Sequence, residues 1–170
     1  GGAANVALNA ASLGANVEVC GWFGEDSQGE QLRALLYDQG IFVDESFLFC
    51  GAPTISKTRV TSSNQQICRV DRESDSDSYS PDLSVLQENL ISKVNSSDVV
   101  IVSDYGKGFV SNELFSLVRK NAKFVSVDPK PSRLLEYESP DLLTPNRMEA
   151  LELAGKSRLM KEEVLQSEVG

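Results

Sequence analysis

Apolar residues recur with helical spacing in some segments of the chain and alternate with polar residues in others, as in α/β proteins. Helical spacing predicts helices that end at Gly14, Gly40 and near Gly155, helices that begin at Pro81 and after Ser111, and a helix after Leu159. Strand spacing predicts strands at 17–24, within 41–49, at 98–106, ending at Asp128, and at 142–143. The order after residue 98 predicts a Rossmann-like α/β domain, with a mostly parallel sheet flanked by helices.

Two details of this pattern predict which side chains are buried. The stretch DVVIVSDYG, residues 98–106, is almost continuously apolar up to Asp104, which is typical of a parallel strand covered on both faces. In the helix that ends at Gly40, Leu32, Leu35 and Leu36 form the apolar stripe. Both features predict a core formed between helices and a central sheet.

A different pattern occupies residues 54–70, where alternating stretches at 54–61 and 65–70 flank the polar residues 62–64. This is the signal of a β-hairpin inserted into the α/β pattern. We expect the hairpin to project as a lid or as a contact between subunits, or to form a simple antiparallel edge pair.

Composition and charge exclude several classes of protein. The formal net charge of −9 argues against a nucleic-acid-binding protein, whose binding surface is basic. No apolar run has transmembrane length and no segment resembles a signal peptide, so we expect no membrane association. Three cysteines without paired spacing indicate a reduced, cytoplasmic compartment. Because the chain has no histidine, it contains no Ser-His-Asp triad and no histidine-bound zinc.

The first residues form a possible ligand-binding helix start. Gly1 and Gly2 can take positive φ angles and lead directly into a helix whose first turn carries Asn5. Free N–H groups at such a start favour ligands rich in acceptors or negative charge. The alternative is a tight turn into a core helix.

Three polar clusters, at 104–108, 128–130 and 146–149, follow predicted strands. Ligands of open parallel sheets bind beyond the carboxyl ends of the strands, so we expect these clusters to matter. Lys107 stands between two glycines whose N–H groups can form an anion nest beside its ammonium group, and Lys130 supplies a second cation.

The last of these clusters begins a predicted helix. Asn146 and Glu149, three residues apart, lie on one face and can hold hydrated Mg²⁺ and phosphate oxygens. Alternatively, they only cap the helix, because a glutamate in the first turn also suits the helix dipole.

Five motifs stand in order along the chain: GGAANVALNAASLG, QQICRVDRE, VSDYGKG, VDPK and TPNRMEA. In this order and spacing the chain resembles the ribokinase-like sugar kinases, in particular the heptose 7-phosphate kinase domain of ADP-heptose synthesis enzymes. The resemblance covers essentially the whole chain, whereas the P-loop motif of other kinases is missing. It implies a ribokinase-like fold that uses ATP and Mg²⁺.

The resemblance assigns a sugar site to the first half of the chain. It implies that Gly1, Gly2 and Asn5 contact the sugar, and that the hairpin is a lid that also pairs two subunits into a homodimer. Arg59 and Arg69 on the hairpin are then candidates for binding the substrate phosphate.

The later motifs receive roles nearer the transferred group. Asp104 and Lys107 are assigned to the substrate, and Lys107 stabilises the charge between the sugar phosphate and the transferring group. Lys130 and the run Asn146, Arg147, Met148 and Glu149 are assigned to the nucleotide. Glu149 is expected to hold Mg²⁺ through water.

The sequence also departs from the family pattern. These kinases carry a Gly-Ala-Gly-Asp loop that forms the anion hole and supplies the catalytic aspartate, and the printed sequence has none. It begins inside a motif without an initiator Met, so we expect a kinase domain truncated at both ends and inactive by itself.

For the complete enzyme, the resemblance implies phosphorylation of D-glycero-D-manno-heptose 7-phosphate at its anomeric hydroxyl, on the way to ADP-heptose for the lipopolysaccharide core. Two alternatives stay open. One is a kinase of the same fold acting on fructose, ribose, adenosine or another sugar phosphate. The other is a non-catalytic α/β module used for binding or assembly.

Overall fold

The computed structural model describes residues 2–63, 65–130 and 137–155, and the helix predicted after Leu159 lies outside them. The helices are α1 (Gly2–Ser12), α2 (Ser27–Asp38), α3 (Leu83–Ser96), α4 (Asn112–Asn121) and α5 (Arg147–Leu153). The strands are β1 (Phe23–Gly24), β2 (Leu48–Phe49), β3 (Ser56–Ser62), β4 (Gln65–Arg72), β5 (Val100–Ser103), β6 (Val125–Asp128) and β7 (Leu142–Leu143). Among the residues described, no helix has both the length and the apolar character needed to span a membrane.

The chain divides into two compact units. The first contains residues 1–82 and 107–109, and the second contains residues 83–106 and 110–170. The first unit therefore holds α1, α2 and β1 to β4, and the second holds α3 to α5 and β5 to β7.

The second unit is built on a parallel three-stranded sheet with the order β5-β6-β7. Its central strand β6 is buried on both faces, with Val125 and Val127 fully inaccessible. Helices α3 and α4 supply the apolar side chains Leu86, Leu90, Val94, Leu114, Phe115 and Val118. The predicted parallel α/β arrangement is confirmed.

Strand β5 differs from the prediction that residues 98–106 are buried on both faces. Within β5, Val102 is the only buried residue, whereas Ile101 remains 47% exposed. Successive strand residues point to opposite faces, and in the described part of the chain β5 pairs with β6 alone. The continuous hydrophobicity of this segment predicts a central strand, whereas β5 lies at the edge of the described three-stranded sheet.

The ends of the helices in this unit follow local capping rules. Ser111 caps α4 by accepting a hydrogen bond from the Leu114 N–H at 3.1 Å, as the sequence predicts. Helix α3 begins at Leu83 rather than at Pro81, so the proline lies just outside the helix.

The first unit has a short parallel pair, β1–β2, where a longer strand at 17–24 was predicted. Pairing occurs at two places, Glu18 with Phe42 and then Phe23 with Leu48. Between them the partner segment forms a 3-10 turn at Glu45–Phe47. The partner segment therefore has one residue more between the two pairing sites than the predicted strand has. This extra residue breaks the register and interrupts the strand.

An aromatic cluster forms part of the core of the first unit. Trp22 stacks on Phe49 with a centroid distance of 4.4 Å and meets the edge of Tyr79 at 5.4 Å. Helix α2 adds Leu36, which is buried. Leu35 is 65% exposed, so the predicted stripe of three leucines is wrong at that position.

The hairpin predicted at 54–61 and 65–70 is present as the antiparallel pair β3–β4, ending two residues later than predicted. Every described residue of the two strands except Ser56 is exposed. A bulge lies between Val60 and Thr61.

Asp26 joins three parts of the first unit. One carboxylate oxygen accepts the Gly29 N–H at 2.9 Å and so caps α2, and the other accepts the Thr54 N–H at 3.0 Å. Arg72, at the end of β4, lies 3.6 Å away. Burial alone raises the pKa of Asp26, but the hydrogen bonds from Thr54 and Gly29 and the charge of Arg72 together lower it below its ordinary value.

We expect Asp26→Ala to lower the free energy of unfolding by about 1–2 kcal/mol, because α2 loses its cap and the Thr54 N–H loses its partner. Asp26→Asn is the matched control, since it keeps one acceptor and loses the charge. The folded pKa is depressed, so the stabilisation by ionised Asp26 is present above the ordinary value of 3.8 and is lost as the pH falls below it. Urea unfolding at pH 7 and pH 3 measures both effects, and an alanine variant as stable as the wild type at pH 7 contradicts the assignment.

Candidate active site

A cavity of about 260 Å³ lies at the carboxyl ends of β5, β6 and β7, within the second unit. Its lining residues come from the end of β6, from residues directly after the three strands, and from the start of α5: Asp104, Tyr105, Asp128, Pro129, Lys130, Thr144, Asn146 and Glu149. The structure thus brings together members of all three polar clusters singled out in the sequence. This is the position at which open parallel sheets bind ligands.

Asp104 is a buried carboxylate at this cavity, with 4% of its surface exposed. Its Oδ1 accepts the Gly106 N–H at 2.7 Å, and its Oδ2 accepts the hydroxyl of Tyr137 at 2.9 Å. Its own N–H donates to the backbone oxygen of Asp128 at 3.0 Å, which joins the ends of β5 and β6. The side chain is therefore held in one orientation.

Asp128, the last residue of β6, is a carboxylate whose protonation is affected by its surroundings at this site. Burial raises its pKa, and the negative charges of Glu149 and Asp104 raise it further, while Lys130 partly offsets them. A carboxylate held among like charges at a cavity is a common sign of a functional site.

We expect Asp128→Asn to increase the stability of the protein at neutral pH. The folded pKa is raised above 3.8, so ionisation favours the unfolded chain as the pH rises from that value through the folded pKa. Removing the charge relieves this penalty above the folded pKa and changes nothing below pH 3.8. Urea unfolding between pH 3 and pH 8 is the measurement, with the exposed Asp98→Asn as control. A variant less stable than the wild type at pH 7 would be the contrary result.

Asn146 and Glu149 form a reciprocal capping box at the start of α5. The Asn146 side chain accepts the N–H groups of Met148 at 2.9 Å and Glu149 at 3.1 Å, and Glu149 Oε2 accepts the Asn146 N–H at 2.8 Å. The capping alternative raised for this pair is thus present in the structure. Both residues also line the cavity, whereas Arg147 and Met148 do not.

The donors at the cavity suit a hydrated magnesium ion. Carboxylate and amide oxygens are hard ligands, and Mg²⁺ is usually held by one or two carboxylates together with substrate phosphates and water. Within the described parts of the chain, no three His, Cys, Asp or Glu side chains come close enough to form a metal site of their own. The residues therefore fit an ion shared with phosphates rather than a closed protein cage.

Lys107 belongs to the first unit, where its ammonium group lies 2.6 Å from Glu73 Oε2. Gly106 and Gly108, on either side, both have positive φ angles, which glycine adopts without strain. A Cβ atom at Gly108 would collide with the backbone oxygen of Ser76, so only glycine fits there. The lysine is held beside the segment that follows the hairpin.

The other predicted sugar-site residues lie on α1 and on the hairpin. Gly2 begins α1, with Asn5 exposed in its first turn, while Gly1 lies outside the described residues. Arg59 and Arg69 are directly opposite each other across β3 and β4. Arg69 Nε donates to Asp71 Oδ1 at 2.7 Å, which offsets part of the repulsion between the two arginines.

Three residues that line the cavity or contact a predicted site residue were not predicted from the sequence. Thr144 lines the cavity and follows the predicted strand at 142–143 directly, so its position was a usable signal. Glu73 and Tyr137 contact Lys107 and Asp104 from 34 and 33 residues away, and no local pattern indicates such contacts.

A second, larger depression of about 420 Å³ runs along α4 and is closed on one side by Glu138. All of its lining residues except Glu138 come from this one helix. It lies away from the strand ends and brings no predicted site residue into contact with another, so we assign the chemistry to the smaller cavity.

The sequence profile of the pfkB family carbohydrate kinases matches residues 1–168, and the chain therefore belongs to this family. It is similar to the bifunctional protein HldE of Helicobacter hepaticus, with 39% identity over 154 residues covering 88% of this chain and 32% of that protein. HldE of Citrifermentans bemidjiense is 37% identical over 170 residues, covering 98% of this chain and 35% of that protein. The chain thus spans 32–35% of the length of these two curated relatives.

Solved structures agree on the fold. Arabidopsis thaliana ribokinase, complexed with ribose and ATP, aligns with a TM-score of 0.75 at 20% identity, over 99% of this chain and 55% of that chain. A carbohydrate kinase from Agrobacterium tumefaciens aligns with a TM-score of 0.74 at 19% identity, over 98% and 55%. The predicted ribokinase-like fold is confirmed.

Proposed function

We propose that the protein is an ATP-dependent kinase that phosphorylates D-glycero-D-manno-heptose 7-phosphate at its anomeric hydroxyl, in the cytoplasm, for lipopolysaccharide biosynthesis. One observation carries the kinase part of the proposal. The cavity at the strand ends combines buried Asp104, the Asp128 and Glu149 carboxylates and the Lys130 side chain. This combination of one cation with hard oxygen donors suits a nucleoside triphosphate with its magnesium ion.

The nucleotide side of the reaction falls to residues of the second unit. With ATP bound, Lys130 would offset the charge of its phosphates, and Asn146 and Glu149 would orient the phosphates and hold Mg²⁺. When bound, the ion neutralises charge on the phosphate oxygens. The residues themselves bind and align, which is most of what an enzyme contributes to phosphoryl transfer.

The sugar side falls to Asp104, to Lys107, and to residues at the start of the chain and on the hairpin. Lys107 offsets negative charge between the sugar phosphate and the transferring group, and Gly108 beside it, which has a positive φ angle, adds a backbone N–H group. Gly1, Gly2 and Asn5 contact the sugar, and Arg59 and Arg69 bind its phosphate. Guanidinium groups suit a phosphate because they donate two parallel hydrogen bonds.

The choice of heptose rests on the motifs and the relatives together. The motifs follow the pattern of heptose 7-phosphate kinase domains, and the relatives named above are HldE proteins at 37–39% identity. Two arginines on the hairpin favour a phosphorylated acceptor over a free sugar. The two alternative functions are that of another sugar kinase with the same fold and that of a non-catalytic binding module.

We also propose that the hairpin acts as a lid and pairs two subunits into a homodimer. Thr58 pairs with Val70 and Val60 with Cys68, so these side chains share one face of the hairpin, and all of them are exposed. A two-stranded hairpin with an exposed apolar face is marginally stable alone and gains by covering that face.

A coupled ADP-release assay of the full-length protein against free and phosphorylated sugars tests the activity. We expect ADP release with D-glycero-D-manno-heptose 7-phosphate and far less with fructose, ribose or adenosine. Release with one of these instead would support another kinase of the fold, and no release with any of them would support the binding module.

The printed 170-residue chain, purified alone, is expected to release no ADP in the same assay. It contains no Gly-Ala-Gly-Asp sequence to supply the base and the anion hole. Sugar-dependent ADP release by this chain would show that the base lies among its own residues.

A further inference from the structure

We infer that Tyr137 is a positioning residue of the cavity at the strand ends. Its hydroxyl group fixes the carboxylate of Asp104 and ties it to the loop that follows β6. The role rests on the proposed function, because it concerns alignment for phosphoryl transfer.

The hydroxyl group of Tyr137 has a partner on each side. It donates to Asp104 Oδ2 at 2.9 Å and accepts the Lys130 N–H at 3.2 Å. Asp104 Oδ1 is already held by the Gly106 N–H at 2.7 Å. The second contact therefore stops the carboxylate from rotating, and the same oxygen fixes the backbone that carries the Lys130 side chain.

The ring of Tyr137 is held from behind by α4. It meets the ring of buried Phe115 edge to face, with a centroid distance of 5.5 Å and an interplanar angle of 81°. Packing thus places the ring, and the hydroxyl group performs the alignment. Replacing Tyr137 by phenylalanine therefore keeps the packing of the ring and removes only the hydrogen bonds of the hydroxyl group.

The alignment matters because Asp104 is almost inaccessible to water. A buried carboxylate cannot replace a lost protein donor with bulk solvent, so it turns toward another donor. Lys130 lies on the nucleotide side of the proposed reaction and Asp104 on the substrate side. Small errors in the placement of reacting groups reduce turnover strongly, even when both substrates still bind.

Steady-state kinetics of Tyr137→Phe in the full-length enzyme test the inference. We expect kcat to fall about tenfold, with KM for the sugar phosphate and for ATP changing less than about threefold. The exposed Tyr37→Phe, which removes the same hydroxyl group from α2, is the matched control and keeps wild-type kinetics. Circular dichroism at the assay temperature checks that both variants are folded.

A double-mutant cycle then tests whether Tyr137 acts through Asp104. In an Asp104→Asn background, assayed at high enzyme concentration, Tyr137→Phe should lower kcat further by less than about twofold. A further tenfold loss would mean that the two residues act independently and would overturn the inference. An unchanged kcat in the single variant, or a loss confined to KM, would overturn it as well.

These outcomes differ from a failure of the proposed function. A wild-type enzyme that releases no ADP with any sugar refutes the kinase proposal itself. An active wild type with normal Tyr137→Phe kinetics refutes only the role of Tyr137.

Discussion

In the full-length protein, Lys107→Ala is expected to lower kcat about 10²- to 10³-fold while KM for the sugar phosphate changes only a few-fold, because the group proposed to stabilise the transferring charge is lost. The residue stands between two positive-φ glycines, and its ammonium group lies 2.6 Å from Glu73. Charge developing on the transferring group is greatest in the transition state, so turnover suffers more than binding.

The exposed Lys120→Ala provides the control, since it removes the same charge at the end of α4. Thermal unfolding separates catalysis from folding. The Lys107–Glu73 ion pair is more than 30% exposed on both sides, and surface pairs of this kind contribute at most about 1 kcal/mol. Normal turnover of Lys107→Ala would remove this residue from the site.

Replacement of Glu149 is expected to have the second largest effect on kcat. Glutamine can still accept the Asn146 N–H and keep the capping box, but it lacks the negative charge. We expect Glu149→Gln to lower kcat about 10²-fold and to raise the Mg²⁺ concentration needed for half-maximal activity, because the proposed carboxylate partner of the ion is lost.

Glu149→Ala removes the charge and the cap together. It should match the glutamine variant in turnover and lose a further 0.5–1 kcal/mol of stability, roughly the value of a helix cap. The control is Glu113→Gln, which changes an exposed glutamate in the first turn of α4. If Glu149→Gln behaves like the wild type in both kcat and Mg²⁺ dependence, the residue serves only to cap α5.

Local patterns in the sequence predicted much of the second unit. Strands ending at Asp128 and at 142–143, the Ser111 cap and the convergence of three polar clusters all follow from short-range signals. The reason is geometrical, since parallel strands joined by helices bring their carboxyl ends to one edge. The position of Asp104 at that edge therefore needed no tertiary information.

The features that were predicted wrongly, or not at all, depend on contacts between distant parts of the chain. Leu35 follows helical spacing and is still exposed, because spacing does not show which side of a helix is covered. The strand at 17–24 is interrupted by a turn in its partner segment, which its own sequence cannot reveal. Tyr137 is a single tyrosine outside any predicted element, and only the fold places its hydroxyl group on Asp104.

The central claim is that the protein transfers a phosphoryl group from ATP to the anomeric oxygen of a phosphorylated heptose. The direct measurement is phosphorus NMR of the full-length enzyme with ATP, Mg²⁺ and D-glycero-D-manno-heptose 7-phosphate. The account predicts a new phosphorus signal coupled to the anomeric proton, growing in step with ADP. ADP formation without that signal, or no change in any signal, would contradict it.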